Sequence, residues 1–243
     1  MAKNIGRWLM LATAGLLTPS NSLPVSAASA NSAGSAPVER ECFEEGNGQR
    51  FCAELVYGCP TTDVSCLIDD LSGAILRAQG DRNAKYAAYL ARGIVSRRDS
   101  RVADALADFE AAQALQPQQA TPHILLGQLY SDLGHHARAL SSFDDAVKIA
   151  PGLPTILAQR AAARHRGGDS AGAIADLDKA IAVMRSKIKL PDGADEPVEA
   201  LLVARGEFRR KGGDTTGARS DFLAALTIQP GLKAAVDALA TLP

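Results

Sequence analysis

The sequence predicts an all-α fold, a stack of antiparallel helix pairs that follows a small cysteine-bearing segment. Three observations lead to this prediction: an internal repeat, a composition rich in Ala and Leu, and a helical period of apolar residues from about Thr62 almost to the end. Aromatic residues make up 5% of the 243 residues, which suits close-packed helices better than a β sandwich.

The internal repeat is the strongest of these observations, because similar residues recur at five matched positions. The first copy has Gly93, Ala105, Phe109, Ala112 and Pro117. The second, 34 residues later, has Gly127, Ala139, Phe143, Ala146 and Pro151, and the fourth has Gly206, Ala218, Phe222, Ala225 and Pro230. The third departs from the pattern with Ala161, Ala173, Leu177, Ala180 and, in place of proline, Arg185.

These residue types describe a unit of two helices joined by a tight turn. In Gly167-Gly168-Asp169 a glycine can end one helix and the aspartate can cap the next. The small residues let the two backbones approach, and we expect the large residue at Phe109 and its equivalents to fill space toward the neighbouring repeat. A single unit cannot bury its apolar face, so units must stack.

Residues 86–232 therefore resemble four tetratricopeptide repeats, at 86–119, 120–153, 154–187 and 199–232, with an insertion over 188–198. The resemblance implies a right-handed superhelical stack of helix pairs. We expect the second helix of repeat three to run to about Lys189 and the chain to turn at Pro191-Asp192-Gly193. Helices over 63–80 and 233–242 are expected to cover the two ends of the stack.

The amino terminus has the features of an export signal. Lys3 and Arg7 precede a short apolar run over 8–17, Pro19 follows it, and small residues lie around Ala27. The run is shorter than the roughly 20 residues that a spanning helix needs. We predict a signal peptide over 1–27, a flexible linker over 28–40, and a periplasmic or secreted protein from a bacterial source, without stable membrane insertion after cleavage.

A cysteine-containing segment spans 41–66. It carries the four cysteines of the chain: Cys42, Cys52, Cys59 and Cys66. In an exported protein an even number of cysteines favours disulfides, and three pairings are open. Asn47-Gly48 predicts a small hairpin that the bridges could hold. A zinc site or a redox-active pair lacks the close Cys-x-x-Cys spacing, so we predict no metal.

Catalysis has no positive evidence in the sequence. His135 and His136 fall in an inter-helix turn, and no Ser/His/Asp group, carboxylate pair or phosphate-binding loop is visible. We predict neither an enzyme nor a cofactor. The net charge of −1 argues against non-specific nucleic-acid binding.

The family resemblance implies that one face of each first helix lines a groove for peptides or helices. The face maps onto Leu90, Ile94, Arg97, Arg98, Ile124, Gln128, Ala162, His165, Arg166, Val203, Glu207, Arg210 and Lys211. The family's Lys and Asn clamp for chaperone tails is missing.

Two interpretations of the cations in this groove remain open. Arg97, Arg98, Arg166, Arg210 and Lys211 stand at helix ends. They could complement the helix dipoles, or they could form one edge that receives an acidic stretch or a chain terminus.

The predicted function is an interaction scaffold or adaptor that binds a segment of another protein or peptide. A permanent structural subunit of a cell-envelope complex is the alternative, and a metal- or ligand-dependent enzyme subunit is a third. A large apolar surface would favour the structural subunit, and a bound metal would favour the enzyme.

Overall fold

The computed structural model describes residues 38–44, 49–56, 63–187 and 198–242. The predicted signal peptide, most of the predicted linker and Cys59 lie outside these residues. Two strands come first, β1 (Val38–Glu44) and β2 (Arg50–Val56). The helices are α1 (Val64–Arg77), α2 (Arg82–Arg98), α3 (Val102–Leu115), α4 (Ala120–Asp132), α5 (His136–Ile149), α6 (Pro154–Arg166), α7 (Ser170–Lys187), α8 (Glu199–Lys211), α9 (Thr215–Ile228) and α10 (Lys233–Ala240).

The prediction of an all-α stack of helix pairs is confirmed. Each predicted repeat holds two helices, and the second helices begin 34 residues apart at Val102, His136 and Ser170. The chain divides into two compact units, residues 1–129 and 130–243, and the boundary falls inside α4.

In the first unit, α2 is the central element. It packs against α1, α3 and strand β2. Its buried residues cover every face of the helix: Tyr86, Ala87, Ala88, Leu90, Ala91, Gly93, Ile94, Val95 and Ser96. The helix begins four residues before the predicted start of repeat one, because Asp81 caps it by accepting hydrogen bonds from the backbone of Asn83 and Ala84.

The predicted hairpin is present. β1 and β2 pair antiparallel, with Phe43 opposite Phe51 and Cys42 opposite Cys52. Residues 45–48, which include the predicted Asn47-Gly48 turn, lie outside the described part of the chain. The linker prediction needs a correction, because β1 already begins at Val38.

In the second unit, α6–α7 and α8–α9 form packed pairs, and α10 packs on α9 at the predicted carboxyl-terminal position. The described part of α7 ends at Lys187, so the predicted end at Lys189 and the turn at 191–193 lie outside it. Val198 was assigned to the insertion, but it is 2% exposed and belongs to the core with Leu202 and Phe222.

In repeats one and four the large residue of the second helix contacts the small residue of its own first helix. In repeat three, Leu177 belongs to a cluster against which Leu201 and Phe208 of the next repeat pack. A Cβ added to Gly93 would lie 2.5 Å from the ring of Phe109, and one added to Gly206 would lie 2.6 Å from that of Phe222. Glycine is therefore needed in these first helices because the ring occupies the volume of a side chain.

The turn between the helices of a pair has the predicted chemistry. Gly168 adopts φ +90, a left-handed conformation that glycine reaches without a Cβ clash. The carboxylate of Asp169 accepts a hydrogen bond from the backbone of Gly172 at 2.8 Å. Asp214 does the same for Gly217 in the last pair. These caps satisfy amides that a helix terminus leaves open.

Candidate partner-binding surface

The predicted groove positions of the first unit are largely buried. Leu90 is 0% exposed, Ile94 6% and Ile124 7%. Three of the four residues of the predicted apolar strip therefore belong to the core. In the first unit β2 also packs on α2, the helix that carries Leu90 and Ile94, and the repeat pattern could not reveal this.

Two of the polar groove positions of the first unit form a hydrogen bond with each other. Arg97 donates from Nη1 to Oε1 of Gln128 at 2.7 Å, which joins α2 to α4. Arg98 is exposed at the end of α2. One predicted cation is therefore held by a neighbouring helix and the next points into solvent.

The predicted positions of the second unit remain on its surface. Ala162, His165 and Val203 are half-buried, and Arg166 and Lys211 are exposed. α6 and α8 meet here, because the imidazole of His165 stacks on Phe208 with ring centroids 4.1 Å apart and planes at 15°. The Phe208 contact was not predicted, since it depends on how two repeats stack.

His165 is the titratable group of this surface whose pKa is shifted. Burial against Phe208 lowers the pKa, and the positive charge of Lys211 lowers it further. The ring nitrogen Nδ1 lies 3.2 Å from the hydroxyl of Ser170 at the start of α7. The neutral imidazole is therefore favoured here.

The charges of this surface are unevenly paired. Arg210 donates to the carboxylate of Glu207 at 2.7 Å, one turn apart on α8. Arg166 and Lys211 form no ion pair with any residue that the structure describes. We call the predicted groove positions of the second unit the α6–α8 surface: Ala162, His165, Arg166, Val203, Glu207, Arg210 and Lys211. This surface carries an excess of positive charge.

The structure also shows a set of polar residues that the sequence reasoning missed. Three first helices each place an arginine against an aspartate 16 residues later: Arg92 with Asp108, Arg160 with Asp176, and Arg205 with Asp221. Each guanidinium donates one hydrogen bond to each of the two carboxylate oxygens. Arginine can form this bidentate geometry because its guanidinium is planar and carries several N–H groups. The aspartates are buried at 2%, 1% and 2% exposure.

The same arginines reach the preceding helix. Arg160 donates from Nη1 to Asp144 of α5 at 3.0 Å, Arg205 donates to Asp178 of α7, and Arg92 donates to the hydroxyl of Ser72 in α1 at 2.8 Å. The hydrogen bonds to the aspartates raise the arginine pKa values above the ordinary one, so the pairs stay charged. One side chain thus joins its own pair to the previous helix.

Repeat two has no such pair, because Leu126 and Ser142 occupy the two positions. A search for charged residues that recur with the repeat would have found the other three.

The cysteine segment is described only in part. Cys66, in the first turn of α1, is disulfide-bonded. Cys42 and Cys52 face each other in the strand register. Which of the three possible pairings the four cysteines adopt stays open.

Among the described residues, no group of three or more His, Cys, Asp or Glu side chains is placed to hold a metal ion. None of the helices in this part of the chain combines the length and the apolar character needed to cross a bilayer.

Comparison with known proteins identifies the repeat. Residues 120–152, which contain α4 and α5, match the family model of the tetratricopeptide repeat. The helix pair of repeat two is thus a tetratricopeptide repeat, and the stack of helix pairs has the tetratricopeptide-repeat fold. The match falls on repeat two, which keeps all five of the recurring residues.

Several solved structures share the fold. BtubC from P. vanneervenii is 17% identical with a TM-score of 0.62, over 71% of this chain and 75% of that one. MamA protein is 18% identical with a TM-score of 0.55, over 66% and 80% of the two chains. A thermophilic TPR protein of Thermus thermophilus is 18% identical with a TM-score of 0.54, over 74% and 90%. No curated protein matches the sequence.

Proposed function

We propose that this protein is an exported, non-catalytic scaffold that binds a segment of another protein on the α6–α8 surface. The observation that carries the proposal is that repeats three and four use different residues for packing and for their exposed surface. Their recurring small residues, large residues and Arg–Asp pairs pack the helices together. Other residues of the same first helices stay partly or fully exposed, among them Ala162, Arg166, Val203 and Lys211.

The charge of the surface indicates the partner. Glu207 is the single carboxylate among the seven residues and is already bound to Arg210. Arg166 and Lys211 are exposed cations at the ends of neighbouring first helices. A partner segment with carboxylates, from acidic side chains or a chain terminus, would complement them. Val203 and Ala162 supply a small apolar floor for its other side chains.

The experiment compares two double variants of the mature protein. Arg166→Ser with Lys211→Ser removes the two exposed cations of the α6–α8 surface. Lys179→Ser with Arg185→Ser removes two exposed cations from α7, outside that surface, and serves as the matched control. Each protein is crosslinked in the exported fraction of its host, and the bound proteins are identified by mass spectrometry.

We expect a partner that the wild type and the α7 control retain and that the Arg166/Lys211 variant loses. Equal retention by all three folded proteins would contradict a role for these cations. Equal loss in both variants would show that only the net charge matters.

Export is tested separately by sequencing the amino terminus of the protein isolated from its host. We expect the mature chain to begin near Ala28, after the small residues that follow the apolar run. A chain that still begins at Met1 would contradict signal cleavage.

A further inference from the structure

The first helix of repeat one is covered where the first helices of repeats three and four are open. Ala87, Leu90 and Ile94 are 0%, 0% and 6% exposed. The equivalent residues are half-buried or exposed in the two later repeats: Thr155, Ala158 and Ala162 in repeat three, and Ala200, Val203 and Glu207 in repeat four. The difference lies on the face that forms the binding surface of the second unit.

The β-hairpin accounts for this difference. α2 lies between α1 and α3 in the same way that α6 lies between α5 and α7. In addition, β2 packs along α2 and β1 touches it, whereas no strand among the described residues accompanies α6 or α8. The burial of Ala87, Leu90 and Ile94 and the packing of β2 on the same helix together indicate that an extended segment of the chain covers this face of repeat one.

Two links hold the hairpin in place. Gln119, which is 6% exposed just before α4, donates from Nε2 to Oε1 of Gln49 at the start of the second strand, at 2.5 Å. Cys66 of α1 is disulfide-bonded, and the other cysteines of the chain are Cys42, Cys52 and Cys59, all within or close behind the hairpin. A disulfide from Cys66 to any of them ties this segment to the helix that precedes α2.

We propose that the hairpin is an intramolecular ligand of repeat one, and that the disulfide at Cys66 keeps this second binding surface closed. The inference rests on the proposed function in treating this face of the first helices as a binding surface. Because the present occupant is a β-strand, the partner that replaces it is an extended segment of another protein. It would lie on the apolar face formed by Ala87, Leu90 and Ile94.

The opening step is a thiol–disulfide exchange with a dithiol reductant. A thiolate of the reductant attacks one sulfur of the disulfide and forms a mixed disulfide, and its second thiol then releases the first cysteine. The protein gains two electrons and two protons as two cysteine thiols. The reductant loses them and becomes a disulfide.

The test measures amide hydrogen exchange by mass spectrometry on the mature full-length protein, oxidised and after reduction with dithiothreitol. Peptides that cover β2 report release of the hairpin. Peptides from α6 and α7, which contain no cysteine, report whether the fold is retained. Fluorescence of the apolar dye anilinonaphthalene sulfonate reports newly exposed apolar surface. A Cys66→Ser variant, studied without reductant, removes this disulfide alone.

We expect reduction, and Cys66→Ser, to speed exchange in β2 by about tenfold or more while α6 and α7 are unchanged, since release is a local opening. Dye fluorescence should rise in both cases. Continued protection of β2 after complete reduction would overturn the proposal, as would faster exchange in all peptides together, because the hairpin would then be an integral part of the fold. Neither result would alter the comparison of the Arg166/Lys211 variant with its control.

Discussion

At the scale of single residues, packing explains why repeat three departs from the common pattern. Repeats one and four pair a glycine with a phenylalanine whose ring occupies the volume of a side chain at the glycine. Repeat three has Ala161 and Leu177 instead, which are 0% and 1% exposed and belong to one hydrophobic cluster. The Cβ of the alanine thus takes the space that a shorter large residue leaves, and the two changes compensate each other.

We therefore predict that Leu177→Phe alone destabilises the protein by about 1–3 kcal/mol, because the ring would overlap the Cβ of Ala161. Adding Ala161→Gly should recover most of the loss. Free energies of unfolding from urea titrations of the wild type, both single variants and the double variant give the coupling. Gly206→Ala, which creates the same overlap from the other side, is the control. A double variant no more stable than Leu177→Phe would contradict this account.

A second residue-scale prediction concerns the turn of repeat one. Ser100 adopts φ 61 at the place where Gly134, Gly168 and Gly213 adopt similar conformations in the other repeats. The left-handed conformation costs a residue with a Cβ roughly 1–2 kcal/mol, and glycine loses roughly 0.5–1 kcal/mol in chain entropy. We expect Ser100→Gly to raise the free energy of unfolding by about 0.5–1 kcal/mol, and the reverse change Gly168→Ser to lower it.

Calorimetric melting of the two variants checks this prediction. A lower melting temperature for Ser100→Gly would show that the hydroxyl of the serine contributes more than the strain of its backbone costs.

At the scale of elements, the Arg–Asp pairs connect helices that the apolar pattern alone would leave free to slide. Arg205 is the clearest case. Its guanidinium is bidentate with the buried Asp221 of its own pair and reaches the half-exposed Asp178 of the preceding helix. Arg209 adds a further hydrogen bond to Asp221 at 2.9 Å. One aspartate thus neutralises two cations beside the core.

We predict that Asp221→Asn destabilises the protein by about 3 kcal/mol, because it leaves Arg205 and Arg209 without their buried countercharge. Asp178→Asn removes the exposed partner of the same arginine and should cost less than about 1 kcal/mol. Both variants replace an aspartate by asparagine, so the chemical change is the same. Urea titrations of the two variants measure the difference between their free energies of unfolding. Equal losses would show that burial of the carboxylate does not matter.

At the scale of the whole molecule, acid stability should depend on His165. Its pKa in the folded protein lies below the ordinary value of about 6.5 because of burial and Lys211. Well above the ordinary pKa the imidazole is neutral in both the folded and the unfolded protein. As the pH falls through the ordinary pKa, the unfolded chain binds a proton while the folded protein does not. The free energy of unfolding therefore falls until the pH is below the pKa of the folded protein.

We expect the wild type to lose more free energy of unfolding between pH 7.5 and pH 5 than His165→Gln does. The variant cannot take up the proton, so other titrating groups act equally on both proteins and cancel in the comparison. Urea titrations at the two pH values check this. A larger loss for the variant would mean that the protonated imidazole is stabilised in the folded protein.

The repeat architecture was accessible from the sequence because it depends on residues close together in the chain. Glycine turns, aspartate caps and the recurrence of small and aromatic residues are local signals, and they correctly placed the second helices and the final helix. The Arg–Asp pairs were also visible in principle, since both residues recur with the repeat. The start of α2 differed from the prediction because Asp81, outside the repeat pattern, caps the helix.

What the sequence determined by itself is the repeated helix pair, the hairpin near Asn47-Gly48 and the identity of the residues on one face of each first helix. Only the tertiary structure decided which of those faces is open. Leu90 and Val203 hold equivalent places in their repeats, yet Leu90 is completely buried and Val203 is only half-buried. The physical reason is that exposure depends on what else packs on a helix. β2, which packs on α2, ends more than 30 residues before Leu90 in the chain.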